Sequence, residues 1–333
     1  MGEFELLEKI RERLGTAGPR VVLGSGDDAA VTVPGGATAT SVDAVVEDVH
    51  FQRDRATLAQ IGHKALATAL SDLAAMGAEP GEAYVVLGVP PDLDEAGCLE
   101  LLDGMLELAR ETGTTLAGGD VSRAPVLSVA TTVVGHAPTP EDFVTRAGAR
   151  PGDVLAVTGE LGGAAAGLLL LEQSREWSLD APIGAQSDQA AADALTARQL
   201  EPLPRIAAGR ALAGAGATAM IDLSDGLGGD ARHLATASGV SLRIDAAALP
   251  LAVGVAAVAE AAGLDPLALA ASGGEDYELL VALPPARVER AVAAVGKVGS
   301  ALTPIGEVLD GEGVEIRRPG GEPLRATGFD QLG

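Results

Sequence analysis

Carboxylates recur along this sequence at the ends of predicted strands and helices or directly after glycine. Six sites show the pattern: Asp27 with Asp28, Asp43, Asp72, Asp120, Asp222 with Asp225, and Glu275 with Asp276. Short apolar strands and amphipathic helices alternate between these sites, which indicates an α/β (α+β) fold with mixed sheets. Neighbouring carboxylates repel each other and are costly to bury without a partner, so these sites constrain how the chain can fold.

The first half of the chain mixes predicted helices and strands. They are a helix over Glu3–Leu14, strands over Val21–Leu23, Ala29–Val33 and Thr38–Val46, a helix over Thr57–Met76, a strand over Ala83–Val89, a helix that Asp92 caps and that ends at Gly113, and strands over Thr114–Ala117 and Val126–Val134. Thr57 and Gln60 have the spacing of a capping box, and Gly77 suits the position after a helix. Gly118–Asp120 is predicted to lie at a strand end.

Asp72 is the strongest single-residue indication of a functional site. On the helix Thr57–Met76 it projects between Ile61 and Ala65, on the apolar stripe. It also lies in the last turn, where the helix dipole disfavours an anion. A carboxylate placed against both preferences needs a positive partner.

A change of pattern near the middle of the chain predicts two domains. Turn-forming sequence over 138–152 places the first domain at 1–137 and the second at 138–333. Val154–Thr158 then begins a second α/β unit. The segment Gly159–Gly163 lacks the G-x-G-x-x-G spacing of a dinucleotide site, so it is weak evidence for a phosphate-binding loop.

The second half has its own acidic turn. A strand over Thr218–Ile221 leads to Asp222, and Ser224 is a candidate N-cap of the next helix. The polar, alanine-rich segment Gln173–Gln199 is predicted to be a surface excursion because its apolar residues are poorly periodic. A hairpin is expected around Gly311–Arg318.

The net charge of −24 over 333 residues argues against nucleic-acid and anionic-membrane partners. The chain has three lysines, Lys9, Lys64 and Lys297, and none lies in a Walker-type loop. If the chain handles phosphates, bound divalent cations must supply most of the neutralising charge. Oxygen ligands without a cysteine or histidine cluster suit Mg²⁺ or Mn²⁺. The residues therefore point to a multi-metal, phosphate-handling enzyme, and the alternative is a set of unrelated solvated turns.

The composition also indicates where in the cell the protein is expected to be located. Cys98 is the single cysteine, so no internal disulfide can form. No apolar run reaches the ~18 residues of a membrane-spanning helix, and the acidic start of the sequence does not resemble a signal peptide. A cytoplasmic location without a membrane partner is expected.

Eight groups of motifs follow one another from residue 2 to residue 279, and the match continues in order to Phe329. They are Gly2–Leu6, Gly26–Ala30, Asp43 through Phe51, Lys64–Ala67 with Leu70–Ala78, Gly118–Asp120, Arg146–Ala149, Ile221–Leu227 and Ser272–Leu279. In this order they resemble the thiamine-monophosphate kinases, a family of the aminoimidazole-ribonucleotide synthetase superfamily. The resemblance covers essentially the whole chain.

The resemblance implies a two-domain chain whose first domains bind ATP and metal ions and pair across a homodimer. It implies ATP-dependent phosphorylation of thiamine monophosphate to thiamine diphosphate, assisted by several Mg²⁺ ions. The matching metal positions are Asp28, Ser41, Val42, Asp43, Asp72, Asp120, Asp222 and Asp225. The matching ATP contacts are Gly119, Asp120, Arg146 and Ser224, and the thiamine-phosphate contacts are His50, Glu275 and Phe329. Asp72, Asp120 and Arg146 are expected to be central to catalysis.

Two positions depart from the family pattern. Val42 stands where threonine is common, so a metal contact there must come from the backbone carbonyl. Phe329 stands where other members place different aromatic residues, which keeps a ring face without a polar group.

Three alternative functions on the same fold make different demands on the sequence. A selenophosphate synthetase would need a reactive cysteine or selenocysteine with a lysine in its amino-terminal segment, where this chain has Lys9 and no cysteine. The carbamoyl-dehydrating relative of hydrogenase maturation would end in a reactive cysteine, whereas this sequence ends in Gly333. A binding-only regulator would not need so many metal ligands.

Overall fold

The computed structural model describes residues 3–14, 18–25, 29–173 and 185–328. Contacts divide the chain into two compact units after residue 143, and residues 74–77 group with the second unit. The first unit contains α1 (Glu3–Leu14), β1 (Val21–Leu23), β2 (Val31–Thr32), β3 (Ala37–Val46), α2 (Leu58–Ala75, whose last two residues group with the second unit), β4 (Glu79–Val89), α3 (Glu95–Thr112), β5 (Thr115–Arg123) and β6 (Ser128–Ala137). The second unit contains β7 (Val154–Thr158), α4 (Gly163–Gln173), α5 (Ala185–Leu200), α6 (Ile206–Ala215), β8 (Ala219–Asp222), α7 (Leu227–Ser238), β9 (Ser241–Asp245), α8 (Val255–Ala261), α9 (Pro266–Ser272), β10 (Leu279–Leu283), α10 (Val288–Lys297), β11 (Leu302–Leu309) and β12 (Gly313–Arg317).

Four strands of the first unit form one sheet in the order β3–β6–β4–β5, so β3 and β5 are its two edges. β6 is antiparallel to both of its neighbours, and β4 runs parallel to β5. Most residues along β3 alternate between half-buried and exposed, as expected for a strand in a sheet with one covered face. β1 and β2 form a separate two-stranded sheet.

Helices α2 and α3 approach closely because each presents a glycine to the backbone of the other. A Cβ at Gly62 would lie 1.9 Å from the carbonyl oxygen of Leu101, and one at Gly104 would lie 1.9 Å from that of Ala59. The buried side chains of this unit are mainly alanine, leucine and valine, as an aromatic content of 2% requires. Close backbone packing thus fills the space that aromatic rings fill in other cores.

The second unit is built on a six-stranded sheet in the order β12–β9–β11–β7–β10–β8. β12 is parallel to β9, and the remaining neighbours are antiparallel. β10 is buried at every residue, which explains its continuous apolar sequence. Side chains such as Leu155, Ile221 and Leu242 pack in the core beside this sheet.

The predicted helix ends in the first unit are confirmed except at one cap. The Gln60 N–H donates to Thr57 Oγ1 over 3.2 Å, and the Thr57 N–H donates to Gln60 Oε1 over 3.0 Å, so the capping box of α2 is present. α3 is capped by Asp94, which accepts the Gly97 N–H over 2.9 Å, and not by Asp92. Asp92 instead pairs with Arg53.

Three other expectations are wrong. β5 continues from Thr115 to Arg123, so Gly118–Asp120 lies inside a strand and not at its end. Residues 311–318 do not form a hairpin, because β12 pairs with β9, which separates β12 from β11. The predicted surface excursion begins at Gln173, the last residue of α4, and the rest of its described part is helix α5, whose Leu195 is buried with Val255.

Among the described residues, no single helix has the length and apolar composition needed to cross a membrane. The bent pair α8 and α9 meets these criteria only when its two helices are taken together.

Candidate active site

The first group of site residues lies where β3 meets α2. Ser41 Oγ donates a hydrogen bond to Oδ2 of Asp72. Asp43 lies two residues beyond Ser41 on β3, so their side chains emerge on the same face of the sheet. Asp43 accepts the Ala44 N–H over 2.8 Å, and both carboxylates are half-buried. The structure therefore brings Ser41, Asp43 and Asp72 to one region.

Val42 differs from its neighbours because its side chain is on the opposite face of β3. It is 67% exposed and an alkyl group cannot bind a metal ion. A metal contact at this position would have to use the carbonyl oxygen, as the sequence predicts.

His50 is held just beyond the end of β3. Its Nδ1 accepts the Val46 N–H over 3.1 Å, and its carbonyl oxygen accepts a hydrogen bond from the buried Lys64 Nζ over 3.3 Å. Because Nδ1 accepts, the neutral ring carries its proton on Nε2. His50 therefore presents one N–H donor to a ligand.

Gly119 and Asp120 lie on the other edge of the same sheet. A Cβ at residue 119 would lie 1.9 Å from the Val85 carbonyl oxygen, so the close pairing of β4 and β5 requires glycine. Asp120 is exposed and accepts a hydrogen bond from Ser122 Oγ over 2.8 Å. Two strands separate β5 from β3, a distance of about 14 Å. One copy of the sheet does not bring Asp120 to Asp43.

In the second unit, the acidic turn (residues 222–226) is joined to the glycine-rich turn (residues 272–278). The Leu223 N–H donates to the Glu278 carbonyl over 2.8 Å, the Tyr277 N–H to the Leu223 carbonyl over 2.9 Å, and the Glu275 N–H to the Ser224 carbonyl over 2.8 Å. Two motifs that are 50 residues apart in sequence therefore form one surface, which includes Asp222 at the end of β8.

Ser224 is not the N-cap of α7, contrary to the prediction. The cap is Gly226, whose φ of 100° favours glycine. A Cβ at Gly226 would also lie 2.7 Å from the Ser272 carbonyl oxygen. Contact between the two turns thus decides the cap, and sequence propensity does not reveal such a contact.

Asp230, in the first turn of α7, is a site residue that the sequence analysis missed. It is 3% exposed and accepts the Asp225 N–H over 3.1 Å. Burial, together with the charges of Asp222 and Asp225, raises the pKa of Asp230 to about 8. An acidic residue at this helix end looks like ordinary dipole compensation in sequence, so the sequence alone does not mark it as a site residue.

Arg146 is exposed on a loop that α7 holds in place. Ser238, the last residue of α7, donates its hydroxyl to the Arg146 carbonyl over 2.9 Å. The same hydroxyl oxygen accepts the N–H groups of Gly148 and Ala149, each over 3.1 Å. One side chain outside every recognised motif therefore fixes the backbone that carries Arg146.

Glu275 lies in the glycine-rich turn with a left-handed φ of 67°. Gln199, at the end of α5, donates its Nε2 hydrogen to Glu275 Oε2. The next residue, Asp276, accepts the N–H groups of Gly162 over 2.7 Å and Ala164 over 3.1 Å. The N-terminus of α4 is thus occupied by a carboxylate of the chain itself, which agrees with the weak phosphate-loop pattern at Gly159–Gly163.

Asp28 and Phe329 lie outside the described residues. Within those residues, no three histidine, cysteine or acidic side chains converge on one point as a closed metal site. The donors are nonetheless all oxygen, and burial together with the charges of Asp222 and Asp225 raises the pKa of Asp230. This chemistry fits Mg²⁺, which takes one or two carboxylates and completes its coordination with water and phosphate oxygens.

Both units match known family models. Residues 26–137 match the N-terminal domain of AIR synthase related protein, and residues 150–318 match its C-terminal domain. The chain belongs to this class of proteins.

A narrower match comes from relatives and solved structures. The thiamine-monophosphate kinase of Mycobacterium tuberculosis (strain CDC 1551 / Oshkosh) is 39% identical over 93% of this chain and 86% of its own length. The crystal structure of thiamine-monophosphate kinase from Stenotrophomonas maltophilia K279a has a TM-score of 0.82 at 33% identity, covering 95% of this chain and 96% of its own. A structure described as AaThiL complexed with AMPPCP and TMP has a TM-score of 0.76 at 32% identity, covering 98% and 96%. The chain belongs to the thiamine-monophosphate kinase family.

Proposed function

We propose that this chain transfers the γ-phosphoryl group of ATP directly to the phosphate of thiamine monophosphate, forming thiamine diphosphate. The observation that carries the proposal is the match, over 98% of the chain, to a protein solved with AMPPCP and TMP. The oxygen-rich sites of both units support it, because two anionic phosphates have to be brought together.

The residues of the chain suit an in-line transfer without a general base. The acceptor is a phosphate oxygen that is already anionic near neutral pH, so no side chain has to remove a proton from it. When bound, Mg²⁺ would screen the repulsion between the two phosphates. Asp43, Asp72, Asp120, Asp222 and Asp225, with the undescribed Asp28, would hold these ions.

Positive and polar groups would orient the substrates. The Arg146 guanidinium would bind ATP phosphates, a task that suits its fixed charge and fork of donors. The Nε2–H of His50 would donate to the phosphate of thiamine monophosphate. Glu275 and Phe329 would face the thiamine cation with a carboxylate and a ring.

A homodimer is part of the proposal. Asp43 and Asp120 lie on opposite edges of one sheet, and β3 of one copy placed beside β5 of another would bring these two edge strands together. The exposed Val42 and Val86 supply apolar area on the uncovered face of that sheet. Sedimentation at micromolar concentration should give twice the chain mass of 33.2 kDa, and a single-chain species alone would contradict pairing.

The deciding experiment follows the phosphate. Purified protein is mixed with Mg²⁺, thiamine monophosphate and ATP labelled on its γ-phosphate, and the products are separated. Label should pass to thiamine diphosphate, with none on the protein and none transferred to free thiamine. Labelled protein would contradict direct transfer. Absence of thiamine diphosphate would contradict the assignment as a kinase and would favour a binding-only regulator.

A further inference from the structure

The end of helix α5 packs against the proposed substrate residue Glu275. Gln199 is 5% exposed, and its Nε2 donates to Glu275 Oε2. The other amide atom, Oε1, is also buried, and no described residue donates a hydrogen bond to it. A buried acceptor in this state is costly unless a water molecule or a ligand supplies a donor.

The orientation of the Gln199 amide is set by its neighbour. An ionised carboxylate only accepts hydrogen bonds, so the amide must turn its nitrogen toward Glu275. Oε1 is then fixed beside the carboxylate, because both atoms belong to one planar group. The Oε1 atom of Gln199 and the carboxylate of Glu275 therefore form two hydrogen-bond acceptors side by side.

The surrounding structure holds both residues in place. The preceding residue on α5, Arg198, forms an ion pair with Glu160, which anchors the end of the helix. The Glu275 N–H donates to the Ser224 carbonyl over 2.8 Å. The pair of acceptors is therefore attached to two separate, anchored elements.

We propose that Gln199 is a specificity-determining residue that accepts a hydrogen bond from the amino group on the pyrimidine ring of the substrate. A primary amino group has two diverging N–H donors, which match the Gln199 Oε1 and the Glu275 carboxylate. Thiamine monophosphate carries such a group, so the inference rests on the proposed function. An analogue with an oxygen at this position would place a third acceptor against the two and be rejected.

The first test uses the unmodified protein and two substrates. Thiamine monophosphate is compared with oxythiamine monophosphate, in which a ring oxygen substituent replaces the amino group. We expect kcat/KM to be at least about tenfold lower for the oxygen analogue, the cost of unpaired buried acceptors. Equal kcat/KM values would overturn the inference.

The second test assigns that discrimination to Gln199. Gln199→Met keeps an unbranched side chain of similar length but removes the amide. KM for thiamine monophosphate should rise about tenfold with kcat and KM for ATP unchanged, and the preference over the oxygen analogue should shrink. Gln189→Met, at an exposed position of the same helix, is the matched control and should behave like the unmodified protein.

The outcomes separate this inference from the proposed function. If the unmodified protein forms no thiamine diphosphate, the proposed function fails before any variant is made. If it forms the product but Gln199→Met keeps the full preference, Gln199 does not read the amino group. If Gln199→Met fails to fold, the two-substrate comparison on the unmodified protein still decides whether an amino group is recognised. Gln199→Asn, whose side chain is one methylene shorter, then tests Gln199 and must lose the preference for thiamine monophosphate over the oxygen analogue.

Discussion

Asp72 combines an unfavourable place on its helix with a defined hydrogen bond from Ser41. We expect Asp72→Asn to lower kcat by at least about a thousandfold with saturating Mg²⁺, because the neutral amide oxygen of asparagine holds Mg²⁺ far more weakly than a carboxylate. The exposed Asp103→Asn is the control and should keep full activity. An Asp72→Asn protein that is folded by circular dichroism and fully active would contradict the role of Asp72.

Asp230 makes the stability of the metal-free protein depend on pH. Its folded pKa of about 8 lies above the ordinary value of 3.8, so the folded state holds this proton more tightly than the unfolded state. The contribution of this proton to the free energy of unfolding is fully present below about pH 4 and is lost as the pH rises toward 8. Asp230→Asn removes this loss.

Comparing the free energies of unfolding of the unmodified protein and of Asp230→Asn isolates the contribution of the Asp230 carboxyl group. We expect the free energy of unfolding of Asp230→Asn to improve relative to the unmodified protein by a few kcal/mol between pH 5 and pH 8, on the order set by the shift. Urea unfolding in EDTA measures it, with the exposed Asp310→Asn as control. A difference that does not change with pH would contradict the raised pKa.

At the scale of elements, the end of α7 controls the loop of Arg146. Ser238→Ala removes three hydrogen bonds to that loop. We expect KM for ATP to rise about tenfold while KM for thiamine monophosphate stays constant, because the loop loses its fixed position. Ser238→Thr, which keeps the hydroxyl, should restore KM, and the exposed Thr236→Ala should have no effect. A Ser238→Ala protein with an unchanged KM for ATP would show that the loop of Arg146 keeps its position without the Ser238 hydroxyl.

Local sequence signals predicted the elements better than their partners. The capping box at Thr57 and the continuous apolar run of β10 act within a few residues, so propensity and periodicity suffice for them. The pairing of β12 with β9 depends on residues about 70 positions away, and adjacency in sequence suggested a hairpin instead. α5 was missed because alanine spreads its apolar contacts too evenly to show a period.

Within the candidate site, the sequence indicated residues wherever residue type alone carries the chemistry. The carboxylates at Asp43, Asp72 and Asp222 could be named from the sequence because oxygen ligands recur at element ends. Gln199 and Ser238 could not, because an amide and a hydroxyl are common everywhere. Their importance comes from the groups they contact, which only the fold brings together.

At the scale of the whole molecule, the two edges of the first sheet have a genetic consequence. If each active centre takes β3 from one copy and β5 from the other, Asp43→Ala and Asp120→Ala disable different halves of it. In a mixed pair, one centre collects both lesions and the other collects neither. Two inactive proteins, exchanged after mild dissociation, should therefore complement each other and recover about a quarter of normal activity. Complementation would fail if every centre were built within one chain.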